Sequence, residues 1–202
     1  MMKFISAVFH PLLMMTYLML VFYRTMPDLY SPVAPDSIPT LLTAAFITTF
    51  LVPVLSIVFM KLTSRIRSFE LTGRQERYLP FVSITLFYGA TAYMFLHKIG
   101  LIPPLSVIML ASTSLIFILL VITFWFKISI HATAAWSFSG YLTALSITQP
   151  DMVFFVPLLL SFPMAGLVAT SRLWLGYHSP REIWAGIALG YGYSFMTVFV
   201  FG

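Results

Sequence analysis

The sequence predicts an all-α protein, a polytopic transmembrane helical bundle of six to seven spans, and three observations lead there. Of its 202 residues 60% are apolar and 8% charged, with a mean hydropathy of +0.97, so a water-soluble core would leave almost no polar surface to face solvent. The apolar residues fall into runs of about 20, the length that crosses a hydrocarbon core of about 30 Å at about 1.5 Å per helical residue. The longest pieces between runs, 24 to 37 and 61 to 77, are too short for a separate soluble domain, and no internal repeat or low-complexity tract interrupts the chain. Residues 1 to 202 therefore read as one domain.

Candidate spans lie near 4 to 23, 39 to 60, 78 to 97, 105 to 126, 129 to 147, 152 to 170 and 181 to 201. The first follows Lys3 and resembles a secretory leader, but no small-x-small cleavage signal precedes Arg24, so it is read as a retained span. Within it, His10-Pro11 predicts a kink with a hydrogen-bonded histidine. The second and third spans flank segment 61 to 77, where Lys61, Arg65, Arg67, Arg74 and Arg77 make up five of the eleven basic residues. That excess predicts a cytoplasmic loop. Glu70 and Glu76 are expected to pair with these arginines or to stay solvated, and His97-Lys98 reads as an interfacial end of the third span.

The run from 105 to 148 is interrupted by Lys127, Ser129 and His131, and a single helix of that length would reach roughly 66 Å, twice the hydrocarbon thickness. The chain must turn near 127 to 131. The last span opens with Ser179-Pro180-Arg181-Glu182, which supplies an N-cap, a proline at the first helical position and a carboxylate that can close a capping box. Gly186, Gly190 and Gly192 follow as a small-residue stripe, the pattern of close packing against another span.

Composition also narrows the chemistry. The absence of cysteine excludes a disulfide framework, a thiolate metal site and a cysteine nucleophile. A net charge of +5, spread between apolar runs, fits membrane-flanking and anion-binding charges, not a nucleic-acid face. No histidine and carboxylate set has metal spacing, and neither a Gly-rich phosphate loop nor a nucleophile elbow is present, so no metal and no cofactor are expected. The twelve methionines and twenty phenylalanines read as membrane filling.

What remains is polar residues in three clusters, at 61 to 77, 127 to 131 and 171 to 182. Two spans separate each from the next, so all three emerge on one membrane face unless a span is miscounted. The third cluster is the most informative. Arg172 stands six residues before His178, and Glu182 four after it, an arrangement that phosphoryl chemistry can use. His178 lies beside a helix N-terminus, whose free amides and positive dipole end favour a phosphate. Structural readings compete: Glu182 as a cap, His178 as an interfacial residue like Tyr177 and Trp174, and Arg172 as a snorkelling headgroup contact. In the second cluster His131 offers a second imidazole to protonate a leaving oxygen, or simply bonds a carbonyl. Arg74 and Arg77 can clamp phosphate oxygens or serve, like Arg65 and Arg67, as topology and headgroup charges.

These residues resemble the type 2 phosphatidic acid phosphatase superfamily, membrane lipid phosphatases related to vanadium haloperoxidases. The family's third motif reads Ser-Arg, five residues, His, three residues, Asp, and Ser171, Arg172, His178 and Glu182 keep its spacing with Glu for Asp. Ile183 to Gly186 also look like the family's continuation. Its second motif, Pro-Ser-Gly-His, corresponds to Ile128-Ser129-Ile130-His131. Its first, Lys, six residues, Arg-Pro, is similar to Gly73-Arg74 at its centre and to Arg77 near its final arginine; Pro80 is displaced and the lysine has no counterpart.

The resemblance covers roughly residues 60 to 195. It implies that His178 attacks phosphorus, Glu182 orients the imidazole, and His131 protonates the leaving alkoxide, while Arg74, Arg77, Arg172, Ser129 and Ser171 hold phosphate oxygens. The implied substrate is a lipid phosphate monoester or diphosphate of the phosphatidate, phosphatidylglycerophosphate or isoprenoid diphosphate type. Membrane lipids are the other expected partners, and the expected location is a bacterial cytoplasmic (inner) membrane. The family has six core spans and an outer-face site, whereas the apolar runs count seven and the charges point to the cytoplasm. Erosion of the first motif and loss of the second motif's Pro and Gly motivate an alternative, a non-catalytic relative that binds or transports lipid phosphates.

Overall fold

The structure, a computed structural model, describes residues 1–69, 71, 73–149 and 153–202, and every regular element among them is helical. Among the described residues six stretches are long and apolar enough to cross a membrane: Met2–Thr25, Pro35–Leu62, Gln75–Ile99, Pro103–Thr123, Phe155–Trp174 and Pro180–Phe201. The remaining predicted span is also a helix, Ile130–Thr148, but it is less apolar than the six. The protein is an all-α polytopic bundle of the kind that resides in a membrane.

The first span is broken where His10-Pro11 predicts a kink. Helix α1 (Met2–Val8) ends, a short turn covers Pro11–Leu13, and α2 (Met14–Thr25) resumes. Proline has no N–H and its ring excludes a carbonyl of the preceding turn, so the helix cannot run through it. His10 Nδ1 accepts the Leu12 N–H at 3.3 Å and caps the new start.

The second span joins α3 (Ile38–Phe46) to α4 (Val52–Leu62) through a wide turn at Ile47–Leu51, just before Pro53. Such π-turns accommodate a residue that cannot donate to the ladder. Thr48 and Thr91 bond across at 2.9 Å, tying this span to α5 (Tyr78–Tyr93). The third span runs on to Ile99 and stops at Gly100, whose φ of +69° is the left-handed conformation of a helix C-cap. His97 lies in that last turn, beside the Tyr93 ring at 5.0 Å.

Helix α6 (Pro103–Thr123) and helix α7 (Ile130–Thr148) are separated at the predicted turn. Helix α8 (Phe155–Trp174) and helix α9 (Pro180–Phe201) complete the chain. Helix α7 is the central element. Its Ala132, Ala135, Ser139, Gly140 and Ala144 are buried, and small residues let backbones approach closely where no hydrophobic force drives helices together.

The closest approach is between α7 and α9. A Cβ on Gly190 would run into the Thr133 backbone, one on Gly186 would meet Ser129 O at 2.9 Å, and one on Gly140 would meet Tyr191 O at 2.6 Å. Gly192, also in the predicted stripe, faces open space. Only the i, i+4 pair of that stripe is used for packing.

Candidate functional site

All three polar clusters meet at one end of the bundle. Arg77 Nη1 donates to Ile128 O at 2.8 Å, Arg74 Nη1 to Trp125 O at 2.8 Å, and Lys127 Nζ to Tyr177 O at 2.8 Å. The α7 cap joins α9 directly, through the Ser129 N–H donated to Glu182 O at 3.2 Å. A miscounted span would have put one cluster some 30 Å away, at the other end of the helices.

Local chain geometry explains the third cluster. Helix α8 ends at Trp174, and Gly176 takes φ +67°, the left-handed value glycine adopts at no steric cost. The Gly176 N–H reaches Leu173 O at 3.0 Å and the Tyr177 N–H reaches Arg172 O at 3.3 Å, reversing the chain. Tyr177 thereby stacks under the Arg172 guanidinium, 4.5 Å from ring centre to Cζ.

Arg172 is 3% exposed, so it does not snorkel. It turns into the bundle, where Nη1 donates to Ser6 Oγ at 2.7 Å. Ser179 caps α9, accepting the Glu182 N–H at 3.4 Å. The other arm of the expected capping box is absent: Glu182 Oε2 lies 2.5 Å from His178 Nδ1 and 3.8 Å from Lys127 Nζ. Backbone and side chain of Glu182 thus serve both readings, cap and histidine partner.

The His178 side chain is 3% exposed. Burial pulls its pKa down from 6.5 to about 4; Arg77 and Lys127 add to the depression, while Glu182 opposes it. A neutral imidazole whose Nδ1–H points at a carboxylate leaves Nε2 with a lone pair, the state a nucleophile needs.

His178 lines a cavity of about 130 Å³ together with His131, Arg172, Arg77 and His10. Arg77 is 1% exposed and, among the described residues, donates its hydrogen bonds to the backbone oxygens of Leu71 at 2.9 Å and Ile128. Carbonyls accept its hydrogen bonds without carrying a countercharge, Glu182 is within electrostatic reach, and an anion in the cavity would add to that balance. Arg77 lies within electrostatic reach of Arg172, and His131 within reach of Arg172, His10 and His178.

Other expected site residues stand off the cavity lining. Ser129 is fully buried as the α7 cap, its Oγ accepting the Ala132 N–H at 3.4 Å. Ser171 Oγ donates back to Val168 O at 2.7 Å within α8. Arg74 is exposed and braces the loop after α6. Glu76 accepts the Arg67 backbone N–H at 3.1 Å and not an arginine side chain; Glu70 lies outside the described residues. Lys61 Nζ donates to Arg67 O.

Three participants were not anticipated. His10 lines the cavity, its ring edge-on to His131 with centroids 5.6 Å apart. Ser6 holds Arg172, and Lys127 holds Glu182. The signal available for His10 was the His10-Pro11 break itself, where the first span is interrupted.

Among the described residues no group of three or more histidine, aspartate or glutamate side chains is disposed to hold a metal ion. In comparisons over the whole chain, no family model, no curated protein and no solved structure matches.

Proposed function

We propose that the protein is a lipid phosphatase embedded in the bilayer, acting on a phosphate monoester or diphosphate without a metal, as a divergent type 2 phosphatidic acid phosphatase of a bacterial cytoplasmic membrane. The observation that carries this reading is the contact of 2.5 Å between buried His178 and Glu182, beside a cavity lined by two buried arginines and a second histidine.

The chemistry proceeds in two displacements. His178 Nε2 gives its lone pair to phosphorus, and the bond from phosphorus to the leaving oxygen breaks. His131 gives that oxygen a proton. As His178 gains positive charge, Glu182 stabilises the imidazolium. Arg77 and Arg172 balance the charge on the equatorial oxygens, the contribution that dominates phosphoryl transfer. Water, deprotonated by His131, then attacks phosphorus, the P–N bond breaks, and inorganic phosphate and neutral His178 result.

Purified protein should release inorganic phosphate from at least one of phosphatidate, phosphatidylglycerophosphate or an isoprenoid diphosphate, and His178→Ala should abolish release. Full activity in that variant would sink the mechanism. A second reading, binding or transport of lipid phosphates without turnover, draws on the position of Arg74, Ser129 and Ser171 away from the cavity. Phosphate-lipid binding that needs Arg172, with no release from any substrate, would favour it.

A further inference from the structure

Helix α1 docks on the bundle through Ile5 and Phe9, which lie one turn apart and pack with Ala135 of α7 and Ala165 and Val168 of α8. Beside that face Ser6 is buried. Two polar atoms of this one residue reach the site. Its Oγ accepts from Arg172 Nη1 at 2.7 Å, and its backbone carbonyl accepts from the His131 ring.

The carbonyl is available because the helix stops. A helix leaves its last four carbonyls without an amide from its own ladder, and Pro11 bars α1 from running on past His10. At this end Ile5 O takes the Phe9 N–H at 2.9 Å, and Val8 O takes the Tyr17 hydroxyl at 2.8 Å. Ser6 O takes the imidazole of His131. The break that interrupts the first span thus supplies an acceptor to a histidine on α7.

Both contacts restrict direction. Tyr177 sets the plane of the Arg172 guanidinium by stacking on it, and the bond from Nη1 to Ser6 sets its rotation within that plane. A hydroxyl does this without adding a negative charge that an anionic ligand would have to displace. For His131, a carbonyl that accepts from one ring nitrogen fixes the neutral tautomer and leaves the other nitrogen to exchange a proton.

Resting on the phosphatase reading for what Arg172 and His131 do, we propose that Ser6 is a positioning residue of the phosphate site. Its hydroxyl aims Arg172 and its carbonyl aims His131, so one residue of α1 sets the angles from which a guanidinium and an imidazole approach the same anion. Helix α1 is then part of the site, although no atom of Ser6 has to touch the ligand.

The test reads binding of inorganic phosphate to the detergent-solubilised full chain, which requires no turnover. Ser6→Ala removes the hydroxyl and keeps the carbonyl, and the dissociation constant should rise about 10-fold, the size of one lost hydrogen bond to a charged group. Ser6→Thr restores the hydroxyl and should recover most of the affinity. In an Arg172→Ala background, where Arg77 still lines the cavity, Ser6→Ala should change affinity by less than about twofold, because the partner through which it acts is gone. If Ser6 only satisfies a buried arginine, Ser6→Ala lowers the melting temperature and leaves the affinity of the folded protein unchanged. That result, or an equal effect of Ser6→Ala with and without Arg172, overturns the proposal. The wild-type chain gives a second reading: nitrogen NMR of histidine-labelled protein, assigned through His131→Ala, should show His131 as one tautomer, and an averaged mixture of the two refutes the role of the carbonyl. Coupling of Ser6 to Arg172 in phosphate binding, with no release from any lipid phosphate, defeats only the assignment of catalysis. Release from lipid with no such coupling defeats only this inference.

Discussion

Glu182 Oε2 sits 2.5 Å from His178 Nδ1 while the backbone N–H of the same glutamate is held by Ser179. One residue therefore closes the start of α9 and orients the imidazole. Replacing its carboxylate separates the two tasks. Glu182→Gln keeps the backbone cap and removes the charge, and turnover should fall by about 10²- to 10⁴-fold with little change in thermal stability. Ser179→Ala should do the reverse, costing about 1 kcal/mol of stability with a smaller effect on rate. Parallel melting curves and phosphate-release assays separate the two outcomes.

His178 should remain a neutral nucleophile well below pH 6.5, because burial holds its pKa down to about 4. The acid limb of kcat/KM is then expected below 6.5. Since the unfolded chain binds this proton more readily, stability contributed by the neutral histidine declines as pH falls through the window from 6.5 to about 4. Lys127→Met removes a cation that adds to the depression, so the limb should move to higher pH. A limb that moves to lower pH would contradict the electrostatics.

Of the arginines, Arg77 and Arg172 line the cavity and Arg74 does not. Arg172→Lys forfeits both the planar stack on Tyr177 and the geometry of the Ser6 contact, so turnover should drop by about 10²-fold or more. Arg74→Ala should stay within about threefold of wild type, the range of a surface contact. Equal losses at both positions would return Arg74 to the phosphate site.

The α7–α9 seam makes a packing prediction. Gly190→Val drives a side chain into the Thr133 backbone and should cost about 1–3 kcal/mol, the range for overpacking, together with activity. Gly192→Ala enters open space and should be neutral or slightly stabilising. Thermal unfolding of the two variants in one detergent checks the contrast.

Much of the fold was legible because the bilayer fixes helix length: among the described residues all seven predicted spans are helical, and the turn near Lys127 follows from a run too long to be one helix. Convergence of the clusters was legible as parity, two spans between each. Side-chain direction was not. Ser129 and Ser171 keep motif spacing, yet each hydroxyl bonds its own helix, because short polar side chains compete for nearby backbone groups. Arg172 near the end of an apolar span suggested snorkelling, and the turn at Gly176 with Ser6 across the bundle draws it inward. His10 joined the cavity through a kink whose angle no sequence pattern specifies.

Helix α7 carries His131 and much of the cavity wall, yet it is not among the helices apolar enough to cross a membrane. Its polar and small residues are matched to neighbouring helices and not to lipid. During biosynthesis this segment is consequently the one least able to leave the insertion machinery by itself, and its partition into the bilayer is expected to await α6 or α9 as a chaperoning surface. Assembly of the site and insertion of the chain would then be a single event, so a defect at Gly186 or Gly190 would surface as failed membrane integration before it could be measured as lost catalysis.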